Sequence, residues 1–300
     1  MPLDGQLDND PFRKANENSC IMFAVGSRAV GWQLRTGEYK PILTHKAIIR
    51  TKDEGKSVRV LNVVGANYKL VHNKELFTHI EDTLRKKMQA DALRGVLIKD
   101  SVAGWGRTCY REYVFPNIHC TLTRGAKSPI AFRLIVQNGY GGSALRVHAG
   151  AIEFFCTNGM VRGAHDATYH KHTSGLVVAG IGDTLDRALD MFADSKLMWQ
   201  RWADTPVKHQ AAMELFAQLA SSDKLSNRLG DQYLREVTAR GHNLYAVYSA
   251  LTYYASHADG EFTMRSTVEE QDTVASTMLA RELTVAKWVK SDAWQKLETV

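Results

Sequence analysis

Apolar and polar residues alternate with a period of two along the middle of the chain. The alternation recurs in IHCTLTR at 118–124, AFRLIVQN at 131–138 and ALRVHAG at 144–150. This period is typical of strands that bury one face, and the connections RGAKSP and NGYGGS are short enough for antiparallel hairpins. The pattern therefore predicts an antiparallel meander with one apolar and one polar face. The basic and imidazole side chains on the polar face are His119, Arg133, Arg146 and His148.

A longer period, close to that of a helix, appears on either side of this meander. In NKELFTHIEDTLRKKMQ at 73–89 the apolar residues form one helical stripe, and the charges run from acidic to basic, which suits the helix dipole. After residue 175 the same spacing predicts about five helices. Residues 20–70 instead hold short apolar runs between turn-type sequences, which indicate strands or mixtures of strands and loops.

Together these periods predict an α+β protein, because strands and helices are segregated along the chain and do not alternate. An antiparallel sheet with one or two helices is expected in the N-terminal and central part, followed by a mostly helical C-terminal half. We expect a disordered arm at 1–19 and a sheet-bearing basic core at 20–175. Residues 176–300 are expected to form a helical region that packs on the core or mediates self-association.

Length and composition exclude some classes of protein. A chain of 300 residues with 44% hydrophobic residues can bury a full core, which excludes disorder of the whole chain. No apolar run approaches the roughly 18 residues of a membrane span, and the N-terminus lacks a basic region followed by an apolar one. We therefore expect a cytoplasmic protein without membrane contact. Its four cysteines are widely spaced, so we expect reduced thiols.

The charge of the chain is concentrated in its central part. Residues 94–175 contain ten Lys and Arg but only four Asp and Glu, an excess equal to the net charge of +6 of the whole chain. A local basic excess indicates a surface for an anionic partner, and nucleic acid is the most common one. Rings and cations interleave in this region, at Trp105, Arg107, Tyr110, Arg111 and Tyr113.

These features favour a protein that binds nucleic acid without regard to sequence. Lys and Arg contact backbone phosphates, and aromatic rings stack on unpaired bases. Single-stranded DNA is the expected partner, RNA is an alternative, and neither a catalytic residue nor a cofactor is expected. The candidate contact residues are Arg107, Tyr110, Arg111, Arg124, Lys127, Arg133, Arg146, His148, Arg162 and Lys171.

A metal-dependent enzyme is a second hypothesis. His165, His170 and His172, with Asp166, could hold a metal ion in a loop, although their spacing matches no zinc signature. A nucleophilic role for Cys156 is disfavoured because this residue ends an apolar strand, where a thiol is usually buried and inert.

Protein binding is a third hypothesis. The helix predicted in HNLYAVYSALTYYASH carries four tyrosines, which could form a face for an oligomer or a host protein, although core packing explains them more simply. The last predicted helix, with Trp288 and Trp294, could likewise join subunits, and we expect a homo-oligomer.

Several separated blocks of the sequence carry a resemblance to one family. They are VVGANYKLVHNKELF, CYREYVFPNIHC, LIVQNGYGGSALRVHAGAIEFFCTNGMVRG, HKHTSG and NLYAVYSALTYYASH, in this order over about residues 60 to 260. These blocks resemble the phage/plasmid-like protein family, a domain of unknown function found in bacteriophage and plasmid genomes.

The resemblance implies a role in mobile DNA within a bacterial host, and no established activity. With the basic sheet it favours single-strand annealing or recombination, and a host-takeover or anti-defence factor is the alternative. Relatives usually have Asn-Ser-His-Asp-Gly-Ser at the turn where this chain has NGYGGS at 138–143. The loss of the His and the Asp argues against catalysis at this turn.

Overall fold

Antiparallel sheets fill the N-terminal and central parts of the protein and helices fill most of the C-terminal half, which confirms the predicted α+β class. The computed structural model describes residues 10–17, 19–51, 58–122, 129–142, 144–153, 158–160, 168–170, 181–257 and 274–299. None of the helices within these ranges is long and apolar enough to cross a membrane.

The first sheet has three antiparallel strands in sequence order: β1 (Val25–Gln33), β2 (Tyr39–Arg50) and β3 (Arg59–Gly65). Only one end of this sheet joins the main core, where Val25, Ile48 and Leu61 are buried. The opposite end of the β1–β2 hairpin lies outside the core.

The central sheet is the predicted meander, extended by two short strands. Its strands are β4 (Leu97–Ala103), β5 (Thr108–Cys120), β6 (Ile130–Gly139), β7 (Leu145–Glu153) and β8 (Asn158–Met160), in that order, with β9 (Thr168–His170) also paired to β7. The side chains of β6 alternate as the sequence pattern predicts, because Phe132, Leu134 and Val136 pack into the main core while Arg133 lies on the opposite face.

Three α-helices lie in the described part of the first half of the chain: α1 (Pro11–Glu17), α2 (Asn73–Lys87) and α3 (Ala90–Leu93). Six more lie in the described part of the second half: α4 (Ile181–Asp204), α5 (His209–Leu219), α6 (Asp223–Arg240), α7 (Leu244–Ser256), α8 (Val274–Trp288) and α9 (Asp292–Glu298). The sequence pattern predicts α2 and α4 to α8, but it places Trp288 and Trp294 in one last helix, which the structure divides into α8 and α9. The hydroxyl of Ser291 accepts a hydrogen bond from the backbone N–H of Trp294, which caps this last short helix.

The main core lies between the apolar face of the central sheet and α2. Leu76, Phe77 and Ile80 on α2 are fully buried there, as the helical stripe predicts. The sheet contributes Phe132 and the ring of Tyr113 to the same cluster. The position of α2 on this face leaves the polar face of the central sheet for another element.

A second core joins the C-terminal helices to the far end of the central sheet. Trp202 packs edge to face on Trp294 at a centroid distance of 5.1 Å, and Tyr248 lies beside both rings. Tyr245 is also fully buried in this core. Of the four tyrosines considered from the sequence as a partner face, Tyr245 and Tyr248 therefore pack the interior, and Tyr253 and Tyr254 are half-buried.

The segment predicted as a disordered arm at 1–19 is ordered where the structure describes it. Helix α1 buries Phe12, which is 1% exposed, against the ring of Tyr113 at a centroid distance of 6.1 Å. The guanidinium of Arg85 on α2 lies over the Phe12 ring, 4.9 Å from its centroid. The prediction is therefore corrected for residues 10–17, because Phe12 docks this helix on the core and Asn16 adds hydrogen bonds with Glu81 and Arg111.

Candidate nucleic-acid interface

The polar face of the central sheet carries the residues that alternation assigns to it. Arg133, Arg146 and His148 lie on this face in the register of β6 and β7. His119 joins them because the pairing of β5 with β6 shifts between Phe115 and His119. The prediction of a shared face is confirmed for these four side chains.

The centre of this face is not open to solvent, because α8 lies across it, whereas His119 and Lys99 on the same face are exposed. Leu279 of α8 forms a small apolar cluster with residues that include Tyr110 and Ile135 of the sheet. The prediction of a solvated basic face is therefore corrected. The candidate contact residues that are buried on this face are Tyr110, Arg133 and His148.

Arg133 is held beneath α8 by two carboxylates. Its Nη1 donates to Glu282 of α8 at 2.7 Å, and its Nε donates to Glu112 on the neighbouring strand. Burial alone would lower the pKa of Arg133, but the two carboxylates outweigh it and hold this pKa above its usual value. With 5% of its surface exposed, Arg133 cannot contact a nucleic acid in this conformation.

His148 lies on the same covered face in its neutral form. Burial, together with the smaller effect of the nearby charges of Arg146 and Arg133, lowers its pKa from the usual 6.5 to about 4. A neutral imidazole provides no fixed charge for phosphate binding. The His148 side chain therefore cannot act as the cation expected from the sequence near neutral pH.

The low pKa of His148 predicts a dependence of stability on pH. Between pH 6.5 and about 4 the unfolded chain binds a proton at this position and the folded chain does not, so stability falls as the pH is lowered through this window. We expect His148→Gln to remove about 2 kcal/mol of the loss seen between pH 7 and pH 5. Urea unfolding of both proteins at the two pH values measures this difference.

Other groups titrate in both proteins and cancel in this comparison, including Glu282, whose pKa is raised by burial. If the wild type and His148→Gln lose stability equally on acidification, the neutral state assigned to His148 is wrong.

Arg111 is a structural residue on the opposite face of β5. Its side chain is completely buried, and it donates to Asp100 at 2.8 Å through both Nε and Nη2 and to Glu81 at 2.7 Å. Asn16 and Ser19 complete its hydrogen bonds. The assignment of Arg111 to a nucleic-acid surface is therefore corrected.

The other candidate positions have varied surroundings. Arg107 is exposed, and its backbone carbonyl accepts hydrogen bonds from the N–H groups of Tyr140 and Gly141 at the turn after β6. Arg146 is half-buried on the covered face. The remaining candidates for nucleic-acid binding lie outside the described residues: Arg124, Lys127, Arg162 and Lys171.

The metal hypothesis rests on a segment that is largely not described. His165, Asp166 and His172 lie outside the described residues, as does Cys156, while the backbone of His170 belongs to β9. Within the part of the chain that is described, no group of three or more His, Cys, Asp or Glu side chains could hold a metal ion.

The most exposed apolar surface lies on the first sheet. Of ten exposed large hydrophobic side chains among the described residues, seven belong to residues 32–63, including Leu43 at 85% and Trp32 at 53%. No side chain from residue 27 to residue 46 is buried. We call residues 27–46, the distal part of the β1–β2 hairpin, the projecting ribbon.

The register of the projecting ribbon places rings beside cations. Trp32 pairs with Lys40 across the two strands, so their side chains share one face. The Tyr39 ring packs over Gly31, where a Cβ atom would lie 2.7 Å from Tyr39 Cζ. Gly31 is therefore required, and the two faces of the ribbon present an aromatic residue each.

The projecting ribbon is also basic. Arg28 and Arg35 are exposed, Lys46 is half-buried, and Lys40 forms an exposed ion pair with Glu38 at 2.5 Å. Glu38 is the only acidic residue in the ribbon. Sequence reasoning applied the test of interleaved rings and cations to residues 105–113. The same test applied to residues 28–40 would have found this surface.

Fold and surface together define an α+β protein with a covered polar sheet and an exposed ribbon that is basic and aromatic. Residues 60–288 match the family described as a domain of unknown function (DUF932). The chain therefore belongs to this family, which is known from phage and plasmid genomes. No curated protein and no solved structure matches the chain. Strands β1 and β2 precede the matched residues.

Proposed function

We propose that this protein binds single-stranded nucleic acid through the projecting ribbon, in the DNA metabolism of a phage or plasmid. The observation that carries the proposal is the exposed ring of Trp32 beside Lys40 on a ribbon that buries none of its side chains. Single-stranded DNA is the preferred ligand, with RNA as the alternative.

The chemistry of a single strand fits both parts of this surface. Its phosphates attract Lys and Arg, and its unpaired bases offer faces on which an aromatic ring can stack. A duplex hides these base faces. The pairing of Trp32 with Lys40 places both kinds of contact on one face of the ribbon.

The isolation of the ribbon points in the same direction. A two-stranded ribbon without a buried face is marginally stable by itself, and exposed apolar clusters commonly mark binding sites. A bound strand would cover Trp32 and Tyr39 and neutralise the arginines nearby. Annealing or recombination requires in addition that two strands be brought together, and self-association of the chain would achieve this.

The proposal predicts a loss of binding on substitution of the ribbon. We expect Trp32→Ala to weaken binding of a labelled oligothymidine by about 5- to 150-fold, because stacking on one base contributes about 1–3 kcal/mol. Lys40→Ala should lower the slope of log affinity against log salt by about 0.7, the value for one phosphate contact in a single strand. Fluorescence anisotropy at several salt concentrations measures both effects.

A matched control is available on α4, where Leu197 is 73% exposed and follows the exposed Lys196. The double variant Lys196→Ala/Leu197→Ala removes the same two classes of side chain from another surface and should bind like the wild type. Equal binding by the ribbon variant and the wild type would refute the placement of the site, and stronger binding of duplex than of single strand would refute the ligand.

A protein ligand is the second candidate for this surface. Leu43, Val60 and Val63 are exposed apolar side chains of β2 and β3, and they offer no contact to phosphate. A host protein bound there should remain in complex after nuclease treatment and in high salt, which a nucleic-acid complex would not.

A further inference from the structure

The contact between α8 and the polar face of the central sheet is small. Its buried apolar part among the described residues consists of Ala103, Tyr110, Ile135 and Leu279. The ion pair of Arg133 with Glu282 joins residues 149 positions apart and provides the main polar link. Farther along α8, Val285 and Ala286 are buried against the C-terminal helices. Glu282 thus lies between the small contact of Leu279 with the sheet and the part of α8 that is buried in the second core.

Within the described part of the chain, the facing surfaces of α8 and the central sheet leave polar atoms without hydrogen bonds and a cavity between them. Glu282 Oε2 and His148 Nε2 are buried without a hydrogen-bond partner among the described residues. A cavity of about 50 Å³ lies between helix and sheet, lined by residues that include Lys99, Ser101 and Met278. Buried polar atoms in native proteins are normally paired, so these two atoms indicate an arrangement that another partner would satisfy better.

Movement of α8 away from the sheet at Leu279 and Glu282 would join Arg133 to cations of the same face that are already accessible. Lys99 on β4 is exposed and Arg146 on β7 is half-buried, and both lie on the same side as Arg133 and Tyr110. Glu112 would be the acidic residue left beside Arg133 once Glu282 had moved away. A guanidinium binds a carboxylate and a phosphate through the same N–H groups.

We infer that this covered face is a second binding surface for the phosphates of a nucleic-acid strand. In the closed form, in which α8 lies on the sheet, the carboxylate of Glu282 binds the guanidinium of Arg133 where a phosphate would bind in the open form. A strand that binds only the open form shifts the protein toward that form. The nature of the ligand rests on the proposed function, but the location of the surface does not involve the projecting ribbon.

The test uses the full-length chain with the ribbon disabled by Trp32→Ala/Lys40→Ala. In this background we expect Glu282→Gln to raise the affinity for a labelled oligothymidine at least 10-fold. The matched control is Asp231→Asn, which removes one negative charge from an exposed position on α6. An equal effect of the two substitutions, or none from Glu282→Gln, would overturn the inference.

A second measurement leaves the contact between α8 and the sheet unchanged. In the ribbon-disabled protein, saturating oligothymidine should speed hydrogen exchange at residues 277–283 of α8. Unchanged or slower exchange there would overturn the inference. Inorganic phosphate is tested as a second ligand of the Glu282→Gln protein. If phosphate binds and the oligonucleotide does not, the face does not bind a nucleic-acid strand.

These outcomes are separable from those of the proposed function. Failure of the ribbon substitutions to weaken binding by the wild type would refute the ribbon site alone. Failure of Glu282→Gln to open the sheet face would leave the ribbon result unaffected.

Discussion

Arg111→Met is expected to lower the free energy of unfolding by about 3–5 kcal/mol, because it leaves a buried pair of carboxylates without their cation. Glu81 and Asp100 both receive hydrogen bonds from Arg111 in the interior between β5 and α2. Burial already raises the pKa of Glu81 in spite of the favourable charge of Arg111. Urea unfolding monitored by circular dichroism measures the loss.

Arg94→Met provides the matched control, because Arg94 faces Asp91 in an ion pair that is exposed on both sides. Such pairs contribute about 0–1 kcal/mol, so this variant should be close to the wild type in stability. The folded fraction of Arg111→Met should bind an oligonucleotide as the wild type does. A variant of normal stability that has lost binding would return Arg111 to the list of contact residues.

Arg240→Met is expected to have an effect of similar size at the other end of the central sheet, about 3–5 kcal/mol. Arg240 on α6 donates to both carboxylate oxygens of Glu153, the last residue of β7, and to Glu236 at 2.8 Å. Both members of the Arg240–Glu153 pair are completely buried. The substitution would leave a charge in the second core, which is also where the sheet meets the C-terminal helices.

The loss of stability that comes from the unpaired carboxylate of Glu153 can be separated from the loss that comes from removing the packed side chain of Arg240. In the double variant Glu153→Gln/Arg240→Met the unpaired charge of Glu153 is absent, so we expect part of the stability to return. Arg235→Met, at an exposed position on the same helix, should change stability little. A double variant that is less stable than Arg240→Met alone would contradict the assignment of the loss to the uncompensated carboxylate.

The sequence predicts face membership well in the central sheet because alternation is a property of neighbouring residues. It assigns Arg133, Arg146 and His148 to one face, and the structure agrees. The helix that covers this face, α8, lies far along the chain from the strands that it covers. The apolar stripe of α8 shows that this helix is buried on one side, but a periodic pattern does not identify the element against which a helix packs. The Arg133–Glu282 pair joins residues separated by β7 to β9 and by α4 to α7.

The mistaken candidates share a physical cause. Arg111 and Arg133 are cations in strands, and charge counting treats them alike, but both neutralise buried carboxylates from elements distant in sequence. The projecting ribbon was missed for the opposite reason. Residues 20–70 are predicted only as strands or mixtures of strands and loops, and apolar content alone does not distinguish a buried strand from an exposed one such as that of Leu43.

The projecting ribbon buries no side chain, so the rest of the fold places few demands on its amino acids beyond the Gly31 contact. Substitutions there should be nearly neutral for folding and should alter binding alone. The fold therefore constrains residues 27–46 much less than the sheet and helices behind them, whose side chains fill the two cores. Sequence differences among relatives at residues 27–46 would then reflect what the ribbon contacts and not the requirements of the fold.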